Sequence, residues 1–447
     1  MEALNNSSPQ EMKRSLILIT AAVIFSKVYF SIVTGAPLTG FLRELGVSDF
    51  TYSVIAAMPY IAGAFQIVAS YLLEKTGRRK LIFLVSGYIH RLIIIPVALV
   101  PFVIPQQYRS IVITIITMLI IIHSIANAIV TISYMSWMGD IVPVKSKGSF
   151  FGKRTALSSI TGILASVVAA VYLDNMQSIF SFSMVFIFAS IFGAIDTTCY
   201  IWVSDPPMKR NQANGVAFLP MLVEPFKDKY YTKLIIFNAC WSLGFNFSIP
   251  FLNIYMIEQL KMSYFNISIM TSVVAGITTA LLINKLGILS DKHGMKPVIR
   301  ICCCFVAILP ILWCFATPSN YLIVMTIAFL LNGLFQQGIM LIMNNFSIWL
   351  APEKNRSMYL ANFALLSTVF SGFSYIAAGT FMENSKGLMS KINNAFFDGQ
   401  QIISNFHVLF AISSILMACS IVFILPMVNE REVVVEMTDV TCPAKAI

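Results

Sequence analysis

Four ionisable side chains, Lys27, Arg91, Asp196 and Lys285, stand inside long apolar runs of this 447-residue chain. Lys27 and Arg91 lie about ten residues from the nearer polar loop, roughly 15 Å deep at the rise of an α-helix. A cation at that depth needs water, an acidic partner or an anionic ligand. Lys285 is nearer a loop and is expected to extend its ammonium outward. Asp196, about two turns from the end of its run, is expected to pair with a nearby cation. His90 adjoins Arg91, and His123 sits near the middle of another run. A buried imidazole either hydrogen-bonds as a neutral group or carries a proton, which makes His90, His123 and Asp196 the candidates for proton coupling.

Helical spacing groups the neutral polar residues into stripes. One strip holds Thr20, Lys27, Ser31 and Thr34, and another holds His123, Asn127, Thr131 and Tyr134. Later in the chain come Asn238, Ser242, Asn246 and Asn253, then Asn332, Gln336, Asn344 and Ser347. One half is thus basic and the other rich in amides. That pattern suits a small organic anion whose charge faces Lys27 and Arg91, near His123 and Asn127. Its hydroxyl or carbonyl groups would meet Asn238, Asn246, Asn332 and Gln336. Sugar acids and phosphorylated sugars fit, and so do neutral sugars, because amides and the ring of Trp241 also receive hydroxyl-rich rings.

The elements that must carry these residues follow from composition. With 57% hydrophobic and 11% charged residues and a mean hydropathy of +0.80, the chain has too little polar surface for a soluble protein of its size. Runs long enough to cross about 30 Å of hydrocarbon recur along it. They predict twelve transmembrane helices over 15–42, 50–73, 81–103, 110–139, 155–173, 179–203, 232–257, 263–290, 298–316, 321–350, 357–381 and 403–426. The first run is of full membrane length without a cleavage pattern, so it is expected to remain as helix 1. Placing the N-terminus in the cytoplasm puts most of the 30 Lys and Arg on cytoplasmic segments and leaves Arg43, Arg109, Lys261, Lys386 and Lys391 on outer loops. The net charge of +10 therefore reflects topology and the anionic inner leaflet, not nucleic acid. The eight cysteines lack metal-ligand spacing and are expected to act as small hydrophobes, with no cofactor and no metal.

The chain repeats one plan. Ser70, Glu74, Gly77, Arg78, Arg79 and Lys80 follow helix 2, and Gly287, Asp291, Gly294 and Lys296 follow helix 8 at matching spacing. DIVPVKSKGSFFG after helix 4 is echoed by WLAPEKNRSMYLA after helix 10, aligning Pro143 with Pro352 and Lys147 with Arg356. Two six-helix halves, 15–203 and 232–427, are expected around a cytoplasmic linker at 204–231, with cytoplasmic tails at 1–14 and 428–447. A short amphipathic piece is expected around Phe218 to Phe226. Halves of this kind place a transport site between them near mid-bilayer.

With these loops in view, the chain resembles the major facilitator superfamily, whose loop pattern GxxxD(R/K)xGR(R/K) covers both copies. Ser70, Glu74 and Lys75 depart from the first copy, and Lys292 and His293 from the second. The resemblance implies an all-α fold of two pseudo-symmetric six-helix bundles, with helices 1, 4, 7 and 10 lining a central cavity. It also implies a charge network at this loop that holds the cytoplasmic side closed, giving Glu74, Gly77, Arg78, Asp291 and Gly294 a gating role. The topology-setting role of Arg78, Arg79 and Lys80 stands beside that reading.

The resulting expectation is a secondary active transporter working by alternating access in a plasma or bacterial inner membrane, as a monomer, with a co-transported proton or an exchanged anion. The scarcity of buried carboxylates argues against the paired-aspartate cation sites of sodium/melibiose symporters. A proton-coupled multidrug or metabolite exporter is the alternative, suggested by the Met- and Phe-rich helices. ALSSITGILASVVAAVYL, however, lacks the Gly-Pro motif that drug/proton antiporters often carry in helix 5. A non-transporting receptor of the same fold would lose its polar cavity or gain a sensory domain. An enzyme is disfavoured, because no nucleophile–base constellation, phosphate loop or metal-ligand cluster occurs.

Overall fold

A long apolar run in hydrocarbon must satisfy its own backbone, which leaves the helix as the only open choice for these segments. The computed structural model describes residues 9–142, 147–206, 223–352, 356–396 and 403–428. Among them are twelve helices long and apolar enough to cross a membrane. Helices 1 to 6 are Gln10–Glu44, Asp49–Thr76, Arg79–Val103, Arg109–Ile141, Gly148–Asn175 and Ile179–Trp202. Helices 7 to 12 are Lys229–Gln259, Tyr264–Ile283, Met295–Cys314, Tyr321–Leu350, Met358–Gly387 and Asn405–Met427. Side-chain caps start several of them: Ser48, Ser178, Asp228 and Ser263 accept backbone N–H groups at the heads of helices 2, 6, 7 and 8. The apolar segment of helix 11 belongs to a longer helix, Arg356–Phe396, that runs well past the 357–381 expected from hydropathy.

The two halves pack by the same rules. Helix 1 lies against helices 5 and 6, helix 3 against 4 and 6, and helix 2 against 4. In the second half, helix 7 lies against 11 and 12, helix 9 against 10 and 12, and helix 8 against 10. Of the linker expected to carry an amphipathic piece, residues 207–222 fall outside the described set, as do Pro143 and the tail after Val428. Within the described part, Glu224–Lys227 forms one 3₁₀ turn.

Odd helices start, and even helices finish, at what we term the terminal end; the opposite side is the far end. At the terminal end the loop glycines do what their spacing implies. Gly77 ends helix 2 at φ 66° and Gly294 separates helices 8 and 9 at φ 86°, both in the left-handed region that other residues avoid. The cations beside them divide in role. Arg79 is 1% exposed; it pairs with Asp140 and Asp205 and donates to the carbonyls of Ser136 and Pro206. Lys80 donates to the carbonyls of Ile201 and Val203, and in the second half Lys296 donates to that of Pro426. These contacts tie the start of helix 3 to the ends of helices 4 and 6, and the start of helix 9 to the end of helix 12. Arg78, Glu74 and Asp291 are exposed and make no ion pair among the described residues.

Contacts between the halves use far-end segments: Asp49–Ile61 of helix 2 against helix 11, and helix 5 against the start of helix 8. Arg43 bridges Asp49 at 2.8 Å and, across the seam, Glu258. Lys386 reaches Asp49 at 2.7 Å. The Asp174 carboxylate accepts the Tyr264 and Phe265 N–H groups at 2.6 and 2.9 Å, so an acid of helix 5 sits on the positive end of helix 8. The far end is closed, and the gating candidates at the terminal end face solvent.

Two outcomes follow from these contacts. Arg79→Gln strips a buried guanidinium from its partners and lowers stability by about 3 kcal/mol, read as a fall in melting temperature in detergent, whereas Arg78→Gln leaves it unchanged. Arg43→Gln, on a cysteine-free background carrying Ser268→Cys, raises thiol labelling from the far side roughly fivefold, the shift that about 1 kcal/mol of seam energy gives.

Candidate functional site

Helix 1 is broken where it meets the other half. Its first segment ends at Val33 and its second starts at Ala36, with Gly35 between them at φ 70°. Helix 8 carries a π-helical turn over Ile269–Val274, a distortion that recurs at functional sites. Both irregularities border a cavity of about 450 Å³ between helices 1, 5 and 8, at the seam of the halves. Lys27, Ser31 and Thr34 of helix 1, Ser166 of helix 5, and Ser268 and Thr271 of helix 8 give it a hydroxyl-rich wall with one charge. Ser166 and Ser268 join across the seam at 2.9 Å.

Lys27 stands seventeen residues from each end of helix 1, about 25 Å from either. It is half-buried and has no ion-pair partner among the described residues. Sequence reasoning places it beside cargo; in the structure it lines the inner part of a cavity that extends from there to the start of helix 8 at Tyr264.

Arg91 sits elsewhere than expected. It is 4% exposed and binds Asp196 at 2.7 Å and Ser26 at 3.0 Å, with its guanidinium over the rings of Tyr29 and Phe30. Expected as a cargo ligand, Arg91 instead has its charge matched by Asp196 inside the first half, and it does not border the cavity that Lys27 lines. His90 and His123 stack with centroids 4.2 Å apart. The Nδ1 of each faces the other's backbone carbonyl, at 3.3 and 3.0 Å. A carbonyl only accepts, so both Nδ1 atoms carry a proton. His90 Nε2 then accepts from Arg91 at 3.4 Å, and the Tyr29 hydroxyl donates to the His90 carbonyl at 2.9 Å. Helices 1, 3, 4 and 6 are thereby locked by one buried polar network.

The amides of the second half also divide. Asn246 donates to the Ser242 carbonyl and to Ser371 Oγ, and Trp241 is 4% exposed beside Phe237. Both pack within the second bundle, and neither borders the cavity that Lys27 lines. Asn238 is buried. Asn127 and Asn332 are half-buried, and the Gln336 carbonyl oxygen is buried without a partner. Lys285 is exposed on the helical segment Ala275–His293, which carries helix 8 on toward the terminal end. None of these last residues borders the cavity that Lys27 lines.

The fold and the cavity can now be set beside known proteins. The family model for the Major Facilitator Superfamily matches residues 16–286 and 234–436. The chain belongs to the Major Facilitator Superfamily. No curated protein sequence matches it. Among solved structures, it resembles a mutant form of the nucleoside transporter NupG at TM-score 0.72 and 15% identity, over 93% of this chain and 100% of that one. It also resembles a bacterial homolog of the human lysosomal transporter Spinster, inward-facing and unoccupied, at 0.65 and 14%, over 95% of each chain. A D-xylose-proton symporter matches at 0.65 and 13%, over 93% and 99%. At such identities the likeness is one of fold.

In this superfamily member, sequence reasoning misses the hydroxyl wall of helices 5 and 8 and two arginines. Spacing groups Arg79 with the topology-setting cations, although Asp140, its partner, opens the very DIVPVK signature that echoes in the second half. The hydropathy boundary leaves Arg154 in a loop, whereas it lies inside helix 5.

The Arg91–Asp196 pair is separable from transport by a double-mutant cycle. Arg91→Gln and Asp196→Asn each strand a buried charge and are expected to cost about 3–5 kcal/mol in thermal or denaturant unfolding, and the double variant recovers most of that loss.

Proposed function

We propose that this transporter moves a small polar solute bearing one anionic group, such as a sugar acid, a phosphorylated sugar or a related metabolite, by alternating access. Lys27 carries the reading. An unpaired ammonium at mid-bilayer is costly unless water or an anion meets it, and here it is the one charge on a wall that mixes hydroxyls with apolar groups such as Phe30, Pro37 and Ile267. That wall suits the hydroxyl and carbonyl groups of a sugar-like body. NupG and the xylose symporter are, by their names, carriers of hydroxyl-bearing solutes, which accords with this part of the reading.

The terminal end is the cytoplasmic one in this proposal, because it collects the loop cations, and the closed far-end seam then makes this the inward-facing state. The protein acts as a monomeric carrier rather than an enzyme, in a plasma or bacterial inner membrane. Histidines buried against each other, with Nδ1 of each held by the other's backbone carbonyl, favour exchange against a second anion over a proton relay through His90, His123 or Asp196.

The test is flux into liposomes, using the solute that most stabilises the purified protein among sugars, sugar acids, phosphorylated metabolites and drugs. Lys27→Gln is expected to lower uptake of the anionic solute tenfold or more, as loss of a charge-assisted contact does, while Lys27→Arg retains part of it. Unchanged uptake in Lys27→Gln, or stabilisation by drugs alone, refutes the proposal.

A further inference from the structure

Arg154 is a second interior cation that the cavity does not use. It lies six residues into helix 5, about 9 Å from the terminal end, and Tyr134 lies seven residues before the end of helix 4, at a similar depth. Lys27 is roughly 15 Å deeper. The Arg154 guanidinium stacks over the Tyr134 ring, 4.9 Å from its centroid. Arg154 Nε and the Tyr134 hydroxyl oxygen are buried and make no hydrogen bond of good geometry, although the hydroxyl lies within weaker reach of the guanidinium and of the Tyr200 hydroxyl.

Orphaned buried donors are rare in folded proteins and costly, and two in contact call for a shared explanation. The acid nearest in sense is Asp196, which feels the charge of Arg154 but is itself bound to Arg91 at 2.7 Å. In the interior of the first half, three cations (Lys27, Arg91 and Arg154) thus stand against one carboxylate. The residual positive charge sits in two places, at mid-bilayer and one layer nearer the terminal end. A guanidinium edge beside a phenol hydroxyl offers several donors at once, the arrangement that receives a carboxylate or phosphate oxygen.

We propose that Arg154 and Tyr134 form a second anion-binding station, which the cargo's anionic group occupies between the Lys27 cavity and the terminal end. This rests on the anionic-cargo reading for its biological sense, but the station itself is testable without the cargo. A relay of two cations lets a charged group cross the first half without leaving all its counter-charge at once, so that neither site need hold it too tightly for release.

The probe is inorganic phosphate, titrated against the purified full-length protein in nanodiscs and read as thermal stabilisation, with chloride at matched ionic strength as control. Phosphate is expected to stabilise the wild type. Arg154→Gln weakens its apparent affinity about tenfold or more, and Tyr134→Phe weakens it less. Arg154→Lys retains part of the response, because the charge stays while the planar fork is lost. A phosphate response that survives Arg154→Gln and vanishes in Lys27→Gln overturns the second station and leaves the proposed function standing. A response that survives Lys27→Gln and vanishes in Arg154→Gln supports the station even if the Lys27 reading fails. Absence of any phosphate-specific response in the wild type also overturns the station. Should Arg154→Gln fail to fold, Tyr134→Phe and Arg154→Lys carry the comparison.

Discussion

A charge surrounded by hydrocarbon must be paired, hydrated or met by a ligand, and the first half of this protein is organised by how four ionisable groups divide those options. Arg91 and Asp196 take the first. Their 2.7 Å contact joins helices 3 and 6, and the same guanidinium reaches Ser26, His90 and two aromatic rings. Helix 1 is held through Ser26 and Tyr29 and helix 4 through His123, so the pair sets the position of the helix that carries Lys27. Were Arg91 unpaired, its charge would compete with Lys27 for any anion, and the cavity would have no defined centre. The structural pair makes the neighbouring unpaired lysine meaningful.

The seam imposes the complementary constraint. A carrier that alternates must close one end firmly enough to exclude water but weakly enough to reopen on the timescale of transport. The far-end contacts are of that kind: Arg43 and Lys386 share Asp49, Glu258 is partly exposed, and Asp174 caps helix 8. Each partly exposed pair contributes on the order of 1 kcal/mol or less. The terminal-end contacts of Arg79, Lys80 and Lys296 differ, because they stay within a half. Arg79 is buried with several partners and Lys80 and Lys296 are partly exposed, and all three fasten helices of one bundle to each other. The loop signature thus holds both kinds of residue side by side: Arg79 and Lys80 fasten helices of one half, and Glu74 and Arg78 are exposed.

Much of this was legible in the sequence. Apolar runs gave twelve helices because membrane thickness fixes their length, and the repeat of Glu74–Gly77 as Asp291–Gly294 gave the two halves. Lys27 was readable because depth along one helix follows from counting residues. Arg91 was not, because its partner is 105 positions away in sequence and nothing in either helix says which faces meet. The amide stripes were ambiguous for a related reason. Spacing shows that Asn238, Ser242 and Asn246 share a face, but a polar face serves equally to line a cavity or to join helix 7 to helix 11, as Asn246 does through Ser371. The hydroxyls of Ser166, Ser268 and Thr271 gave no signal, since serine and threonine can return their hydrogen bonds to the preceding turn and so sit anywhere in a membrane helix. Arg154 was hidden by a boundary: one residue before the expected start of helix 5, it read as a loop cation.

The backbone around the cavity carries the last part of the argument. A membrane helix departs from regular geometry only where protein or trapped water can satisfy the freed groups. Here the break in helix 1 at Gly35 and the π turn of helix 8 at Ile269–Val274 flank the same space. Helix 1 belongs to one half and helix 8 to the other, so the irregular backbone lies on both sides of the surface across which the halves must slide. A regular helix transmits a push along its whole length, whereas a helix interrupted at its cavity-facing turn lets the far-end segment stay with the seam while the rest moves with its bundle. The second segment of helix 1, Ala36–Glu44, carries Arg43, and the first carries Lys27. The break at Thr34 and Gly35 therefore stands between the residue that fastens the far end and the lysine that lines the cavity.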